Sequence, residues 1–268
     1  GYASSVPDLG SPTFQPVQNK GVLLVTGPGV GSTTAGDIWH QFDQVWQTPL
    51  TMVEPAQLSA RVLSDHSTVI LASASFTGLP ASAQSALQSW VKSGGCLIGI
   101  SSSAASLAAQ EWCKVEAVKA ATSVTPKDAP YDQAAERRTA RELNGVIVQA
   151  QFDPTHPLAY GFSDRPHIQL MRDDATFLKP ASSPYLNPLR YTDSPLVSGS
   201  ASKANLEAMK GTTPVQIKTV DSGHVILFTD NPVFRGHWLG TEKLLANAIF
   251  FGPLVNATGG SAEEEDEH

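Results

Sequence analysis

The first part of the chain alternates between short apolar runs and amphipathic stretches. Gly21–Thr26 is an apolar run that ends in a Gly-Pro-Gly turn, as a buried parallel strand often does. Leu50–Glu54 and Thr68–Ser73 have the same character and are predicted as the next strands. Between the first two strands, apolar residues recur at helical spacing and predict a helix with one apolar face. These residues are Ile38, Trp39, Phe42, Val45 and Trp46.

The alternation continues to about residue 110. A second amphipathic helix is followed by a strand at Cys96–Ser101 and an alanine-rich helix near Ser103–Gln110. The apolar residues of that second helix are Ala83, Ala86, Leu87, Trp90 and Val91. Strands that alternate with helices form a parallel sheet with helices on both faces. The pattern therefore predicts a three-layer α/β domain with a mainly parallel sheet, over residues 21–252.

The pattern changes after the fourth predicted strand. Residues 111–141 are polar and irregular, which indicates an insertion or excursion that is partly helical. A strand is predicted at Val146–Phe152, and residues 153–200 combine many Pro and Gly residues with short strand candidates. Pro214–Val220 and His224–Thr229 predict a hairpin, and the last helix spans about Thr241–Phe251. The residues of this helix that are expected to be buried are Leu244, Leu245, Ala248 and Ile249.

Composition and charge exclude several classes of function. The chain has 268 residues, 41% of them hydrophobic, and a formal net charge of -7 without a cluster of Lys or Arg. An acidic chain repels phosphate backbones, so nucleic acid is not an expected partner. No apolar run reaches the ~20 residues that a membrane helix needs, so no membrane partner is expected.

The two ends of the chain are expected to lie outside the folded domain. Residues 1–20 are rich in Pro, Ser and Gly and resemble a linker, which suggests a piece of a longer chain. Residues 253–268 form an acidic tail that is expected to be solvated.

The chain has two cysteines. Cys96 begins an apolar run and is predicted to be a buried small hydrophobic residue, whereas its pairing with Cys113 stays open.

The turn after the first strand has the position of a dinucleotide-binding loop. Gly27-Pro28-Gly29-Val30-Gly31 precedes a helix, and Glu54 ends the second strand, where an acid binds a ribose in such folds. The glycine spacing differs from GxGxxG, and Pro28 removes one amide. The alternative is a tight turn that only glycines allow. Gly29 and Glu54 are therefore candidate ligand-binding residues.

The turn after the fourth strand occupies the position of a nucleophile elbow. Such a turn presents its nucleophile at the carboxyl edge of the sheet. Here the turn carries Ser101 and Ser102, whereas a glutamine amidotransferase requires a cysteine thiolate. Cys96 lies at the other end of the strand and cannot replace it. Ser101 is either an N-cap of the next helix, the interpretation we favour, or a nucleophile that needs a histidine base.

Two histidines and one aspartate are candidates for the remaining members of a triad. His156 or His237 would act as base, and Asp230, at the end of a predicted core strand, would orient it. The favoured alternative is that these residues and Arg235 fasten loops through turns and ion pairs. The seven histidines show no HxxE or HExxH spacing, so no metal site is predicted.

Several of these segments together resemble a known family. They are GVLLVTGPGVGSTTAGDIWHQFDQ, WVKSGGCLIGIS, FDPTHPLAYGF, SSPYLNPLRYTDSPLVSG and GHVILFTDNPVFRGHWLGTEKLLANAIFFG. They resemble the C-terminal domain of large zinc carboxypeptidases of the carboxypeptidase A type, which Gram-negative bacteria usually export. The resemblance implies a flavodoxin-like, class I glutamine amidotransferase-like fold. It also implies that the zinc site belongs to an upstream peptidase domain, so that no cofactor is expected in this fragment.

The residues and the resemblance together predict a non-catalytic accessory domain of an exported zinc carboxypeptidase-like protein. The expected partner is the upstream peptidase domain, with a peptide or small-molecule ligand at the strand ends, and the expected location is periplasmic or secreted. Ser102 and Arg235 join Gly29 and Glu54 as candidate ligand-binding residues. One alternative is a serine hydrolase or amidase that uses Ser101, and another is a small-molecule-binding module.

Overall fold

A parallel sheet forms the centre of the molecule. The structure, a computed structural model, describes residues 16–17, 20–119, 130–133, 143, 145–162, 167–172 and 176–257. The six strands of the central sheet are β1 Val22–Val25, β2 Thr51–Val53, β3 Thr68–Ala72, β4 Cys96–Ile100, β10 Val215–Val220 and β11 Gly223–Phe228. Their order is β2-β1-β3-β4-β11-β10, and β10 runs antiparallel to β11 while the other neighbours are parallel. The first five strands of this order follow the flavodoxin-like arrangement.

Helices cover both faces of this sheet. They are α1 Ser32–His40, α2 Ala60–Ser64, α3 Ala81–Lys92, α4 Ser102–Ala108, α5 Lys203–Met209 and α6 Glu242–Phe250. Alternate residues of the strands belong to two separate clusters of buried side chains, because successive side chains point to opposite faces. α2, α3 and α4 contribute to one cluster, and α1 and α6 contribute to the other. The predicted three-layer α/β fold is confirmed.

A smaller antiparallel sheet extends the layer that contains α1 and α6. It consists of β6 Val146–Phe152, β7 His167–Arg172 and β9 Leu189–Ser198, in the order β7-β6-β9. A separate pair joins β5 Ala117–Lys119 to β8 Thr176–Leu178. The inward residues of β6, among them Val148 and Ala150, belong to the same buried cluster as α6. The predicted strand at Val146–Phe152 therefore serves this second sheet.

Most predicted elements are confirmed within one or two residues of their predicted ends. The hairpin of β10 and β11 turns at Asp221-Ser222, and Asp221 takes a φ of 50° there. In α6 the four residues expected to be buried are buried, and these are Leu244, Leu245, Ala248 and Ile249. In α3, Ala83, Leu87 and Val91 are buried, while Ala86 and Trp90 pack against the same cluster.

The predicted apolar face of the first helix was wrong in part. Ile38 and Phe42 are buried, but Trp39 is 42% exposed and Val45 is 44% exposed. Trp39 lies in α1 itself, one residue after the buried Ile38, and therefore points about 100° away from it around the helix. For Val45 the physical reason is that α1 ends at His40 and the chain continues as a π-helix over Gln41–Trp46. A π-helix has more residues per turn than an α-helix, so the helical spacing used for the prediction no longer identifies one face.

Both cysteines lie in the interior of the domain. Cys96 and Cys113 are free and buried, which confirms the prediction for Cys96. Burial raises the pKa of each thiol to about 12. None of the helices among the described residues is long and apolar enough to cross a membrane. Within the predicted acidic tail 253–268, Val255 is buried in the core, and the part beyond Ala257 lies outside the described residues. Most of the linker-like segment 1–20 and most of the predicted insertion 111–141 also lie outside them.

Candidate functional site at the carboxyl edge of the sheet

The loops that follow β1, β3, β4 and β11 meet at the carboxyl edge of the central sheet. β1 and β3 are neighbours, and the connection after β1 runs to β2 on one side while the connection after β3 runs to β4 on the other. Such a switch point is where open α/β sheets bind ligands. Val30 and Ala74 form a bridge between the loops after β1 and β3, and Ser73 N donates to Ile100 O at 3.1 Å. The sequence-predicted residues Gly29, Glu54, Ser101, Ser102 and Asp230 all follow strands that end at this edge.

Ser101 adopts a strained backbone conformation at the end of β4. Its φ is 55° and its ψ is -122°, and its N–H donates to Phe228 O at 2.8 Å. A non-glycine residue in this region costs about 1–3 kcal/mol and needs a surrounding structure that holds it there. The Ser101 side chain forms no capping hydrogen bond to α4, so the favoured N-cap interpretation is corrected. The helix starts after a sharp elbow, and the Ser101 hydroxyl does not stabilise that start.

The other serines of this region hold the loop after β3 against α4. Ser103 Oγ accepts a hydrogen bond from Ala74 N at 2.7 Å. Ser102 Oγ lies 3.2 Å from Ser73 Oγ, and Ser73 itself has a φ of 46°. The residues that directly follow the neighbouring strands β3 and β4 are thus both serines with positive φ.

Asp230 is part of a buried ion pair that the sequence did not reveal. The Asp230 Oδ1 atom lies 2.6 Å from Arg172 Nη1, and Asp230 Oδ2 accepts from the Tyr191 hydroxyl at 2.7 Å. Arg172 Nη1 also donates to Tyr191 Oη at 2.7 Å and to Thr229 Oγ1 at 3.0 Å. The Asp230 carboxylate is therefore held by the second sheet and is engaged away from a histidine.

Arg172 joins the small sheet to the central sheet. Its side chain is 0% exposed and its guanidinium lies 4.6 Å from the centroid of the Phe177 ring. Arg172 also donates to Thr176 O. Burial raises the pKa of the Tyr191 phenol well above its usual value, which keeps the hydroxyl protonated. Arg172 follows Ile168 and Leu170 on the buried side of β7, and this alternation was the signal in the sequence, because a buried arginine requires an acidic partner.

His156 is occupied on both ring nitrogens. Its Nδ1 atom accepts from Leu158 N at 3.0 Å, and its Nε2 atom lies 2.9 Å from Tyr185 O. Because Nε2 donates to a carbonyl while Nδ1 accepts, the ring is neutral in this arrangement. Burial lowers the pKa of His156. The histidine fastens the turn after β6 and is not placed as a base for Ser101.

His237 and Arg235 lie in a turn that packs on α1. Arg235 has a φ of 51°, and its N–H donates to Asp37 Oδ2 at 3.1 Å. Asn231 Nδ2 donates to the same oxygen at 2.8 Å, while burial raises the pKa of the Asp37 carboxyl. His237 is exposed and its ring packs against Phe234 with centroids 6.1 Å apart. The alternative in which these residues fasten loops therefore holds for Arg235, through its backbone N–H.

The glycine loop after β1 uses its own amides. Val30 N donates to Gly27 O at 3.1 Å, and Gly31 N donates to Ser73 O at 2.9 Å. A Cβ at Gly27 would lie 2.9 Å from Glu54 Cγ, so the Glu54 side chain covers the start of the loop. Gly29 has a φ of 83° and open space around it. With two amides engaged, the loop resembles a tight turn more than a phosphate cradle.

The chemistry available at this edge is that of hydroxyl groups and backbone amides. In the part of the chain that the structure describes, no hydrogen bond connects the Ser101 hydroxyl to a histidine, and His156 and Asp230 are engaged elsewhere. No three His, Cys, Asp or Glu side chains converge within the described ranges in a way that could hold a metal ion. Besides hydroxyl groups and amides, the Glu54 carboxylate lies at this edge, next to Gly27.

The fold resembles several solved structures. PurLQS from Thermotoga maritima aligns with a TM-score of 0.56 and 13% identity, covering 86% of this chain and 97% of that chain. A ThuA-like protein from Parabacteroides merdae aligns with a TM-score of 0.52 and 11% identity, covering 93% of each chain. A ThuA-like protein from Bacteroides uniformis aligns with a TM-score of 0.51 and 12% identity, covering 89% of this chain and 94% of that chain. No family model and no curated protein matches the sequence.

These similarities establish the class of fold. ThuA-like proteins have a class I glutamine amidotransferase-like, flavodoxin-like fold. This chain has that fold. At 11–13% identity the similarity carries no statement about activity.

Proposed function

We propose that this chain is a non-catalytic accessory domain with a class I glutamine amidotransferase-like fold. The observation that carries the proposal is the environment of Ser101. The elbow presents a hydroxyl where amidotransferase chemistry needs a thiolate, and a hydroxyl requires a base to become a nucleophile. His156 and Asp230, two of the three predicted partners of Ser101 in a triad, form other hydrogen bonds in the interior.

The test is an activity measurement with matched serine variants. Purified protein is expected to hydrolyse neither glutamine nor a p-nitrophenyl ester, and to release no C-terminal residue from a peptide with or without zinc. Ser101→Ala removes the elbow hydroxyl, and Ser102→Ala is the control one residue away. Turnover that Ser101→Ala abolishes and Ser102→Ala retains would contradict the proposal.

One observation favours a second candidate, a serine hydrolase or amidase. Ser101 keeps the strained backbone of a nucleophile elbow, and strain of this kind is concentrated at functional sites. His237 is exposed and would be its base. A fluorophosphonate probe that labels the wild type and Ser102→Ala, but not Ser101→Ala or His237→Gln, would favour the hydrolase over the inert domain.

We further propose that the domain belongs to an exported zinc carboxypeptidase-like protein and contacts its upstream peptidase domain. This part rests on the sequence resemblance alone, and the zinc would be held upstream. The coding sequence before Gly1 tests it directly. A carboxypeptidase domain with an HxxE motif and a later histidine is expected there, preceded by an export signal, and an unrelated upstream sequence would contradict it.

A further inference from the structure

A second concave site lies at the amino edge of the central sheet, opposite Ser101. It is a pocket of about 430 Å³ between the start of β1, the π-helix and α6. This volume lies within the range of small-molecule sites, which is about 300–1,000 Å³. None of the carboxyl-edge residues discussed above lines it, so the pocket is independent of the proposed function.

The π-helix shapes the aromatic wall of this pocket. Phe42 and Trp46 both line it, and their rings pack edge to face with centroids 5.0 Å apart. The helix ends at Gln47 in a left-handed conformation with a φ of 50°. π-helices are rare, because a regular α-helix of the same sequence has a lower free energy. Those that do occur are often at functional sites. The wall therefore depends on an unusual backbone that the surrounding fold maintains.

The remaining lining residues of the pocket indicate which kind of ligand it would bind. Ala246 and Phe250 of α6 line the pocket together with the aromatic pair. Lys20 stands at the exposed end and is the charged side chain among the described lining residues. Apolar walls favour a ring or short alkyl chain, and an ammonium group at the rim favours an anion.

We propose that this pocket binds a small hydrophobic carboxylate, with the apolar part between Phe42 and Phe250 and the carboxylate at Lys20. No described lining residue is acidic, so the lining itself offers the Lys20 ammonium group no counter-charge. The small Ala246 side chain leaves the space that an aromatic ring would fill. No residue of the pocket is proposed to perform chemistry.

Isothermal titration with two matched probes tests the proposal. 4-Phenylbutyrate is expected to bind with a dissociation constant on the order of 0.1–1 mM. 4-Phenylbutanol has the same apolar body without the charge. It is expected to bind about 2- to 5-fold more weakly, which is the contribution expected of an exposed ion pair. Absence of binding by the carboxylate, or equal binding of acid and alcohol, would overturn the proposal.

Variants locate the binding to this pocket. Ala246→Leu fills the space and is expected to weaken binding of both probes by about tenfold or more, with an unchanged circular dichroism spectrum as the check on folding. Lys20→Gln is expected to make the acid bind like the alcohol, whereas Lys203→Gln, at an exposed lysine outside the pocket, leaves both unchanged. Undiminished binding in a folded Ala246→Leu variant would overturn the site.

Discussion

Ser101 is one of the described non-glycine residues whose backbone has a positive φ. Its φ of 55° and ψ of -122° lie in a region of backbone conformation that glycine, which has no Cβ, adopts freely. A serine is retained there although its hydroxyl contributes no cap to α4. The elbow geometry is therefore imposed by the strands around it, in particular by the hydrogen bond from Ser101 N to Phe228 O.

Replacing Ser101 with glycine is expected to stabilise the domain. Relief of about 1–3 kcal/mol of strain exceeds the ~0.5–1 kcal/mol that the extra flexibility of glycine costs in the unfolded state. Ser101→Ala keeps the Cβ and is the control. Urea unfolding should show Ser101→Gly about 1 kcal/mol more stable than Ser101→Ala, and equal stability of the two would argue against strain at the elbow.

Arg172 and Asp230 form the ion pair whose loss should matter most. Arg172→Leu leaves the Asp230 carboxylate buried without its guanidinium, which is expected to reduce the free energy of unfolding by about 3–5 kcal/mol. Lys179 and Glu116 form an exposed pair at 2.9 Å, so Lys179→Met should cost at most about 1 kcal/mol. Similar losses in the two variants, measured by urea unfolding, would contradict this account of the interior.

At the scale of elements, periodicity predicted the strands of the central sheet and the helices α1, α3, α4 and α6, but it missed α2 and the π-helix. In α6 the four predicted core residues are buried, because each turn of an α-helix follows one spacing. Gln41–Trp46 departs from that spacing, and Val45 is exposed as a result. A π-helix gains its stability from tertiary packing, in this case of Phe42 and Trp46, and leaves no local signal that a helical period can detect.

The junction of β11 with α3 depends on the absence of a side chain. A Cβ at Gly223 would lie 1.9 Å from Val91 O and 2.5 Å from Gly95 O. Gly223→Ala is expected to lower the free energy of unfolding by about 3 kcal/mol or more, since backbone atoms cannot move aside easily.

A matched glycine in an open position serves as the control. Gly36, inside α1, has no atom within 4 Å of an added Cβ. Gly36→Ala should therefore raise the free energy of unfolding by about 0.5–1 kcal/mol in the same denaturation experiment. A tolerated Gly223→Ala variant would show that β11 does not approach α3 as closely as the structure has it.

At the scale of the whole molecule, the buried His156 and the half-buried His224 link folding to pH. Burial lowers the pKa of His156 and of His224, whose Nε2 atom lies 3.0 Å from Val255 O. The unfolded chain then binds more protons than the folded chain below the usual histidine pKa of about 6.5. The stability that neutral histidines contribute is present above that pKa and is lost as the pH falls.

The expected result is a free energy of unfolding that decreases from about pH 7.5 to about pH 5.5. His224→Gln keeps a donor for Val255 O but cannot titrate, so it should reduce the slope of this dependence. Urea unfolding at several pH values measures it. A variant with the slope of the wild type would show that His224 titrates equally in both states.

The sequence by itself determined the alternation of strands and helices, the burial of Cys96 and the face of α6, because these depend on the spacing of apolar residues along a short stretch. Only the tertiary structure decided which polar groups meet. Arg172 and Asp230 are 58 residues apart, and their contact depends on how the small sheet packs on the central one. The pocket at Lys20 likewise joins chain segments around residues 20, 46 and 250, and a local pattern carries no information about such distances.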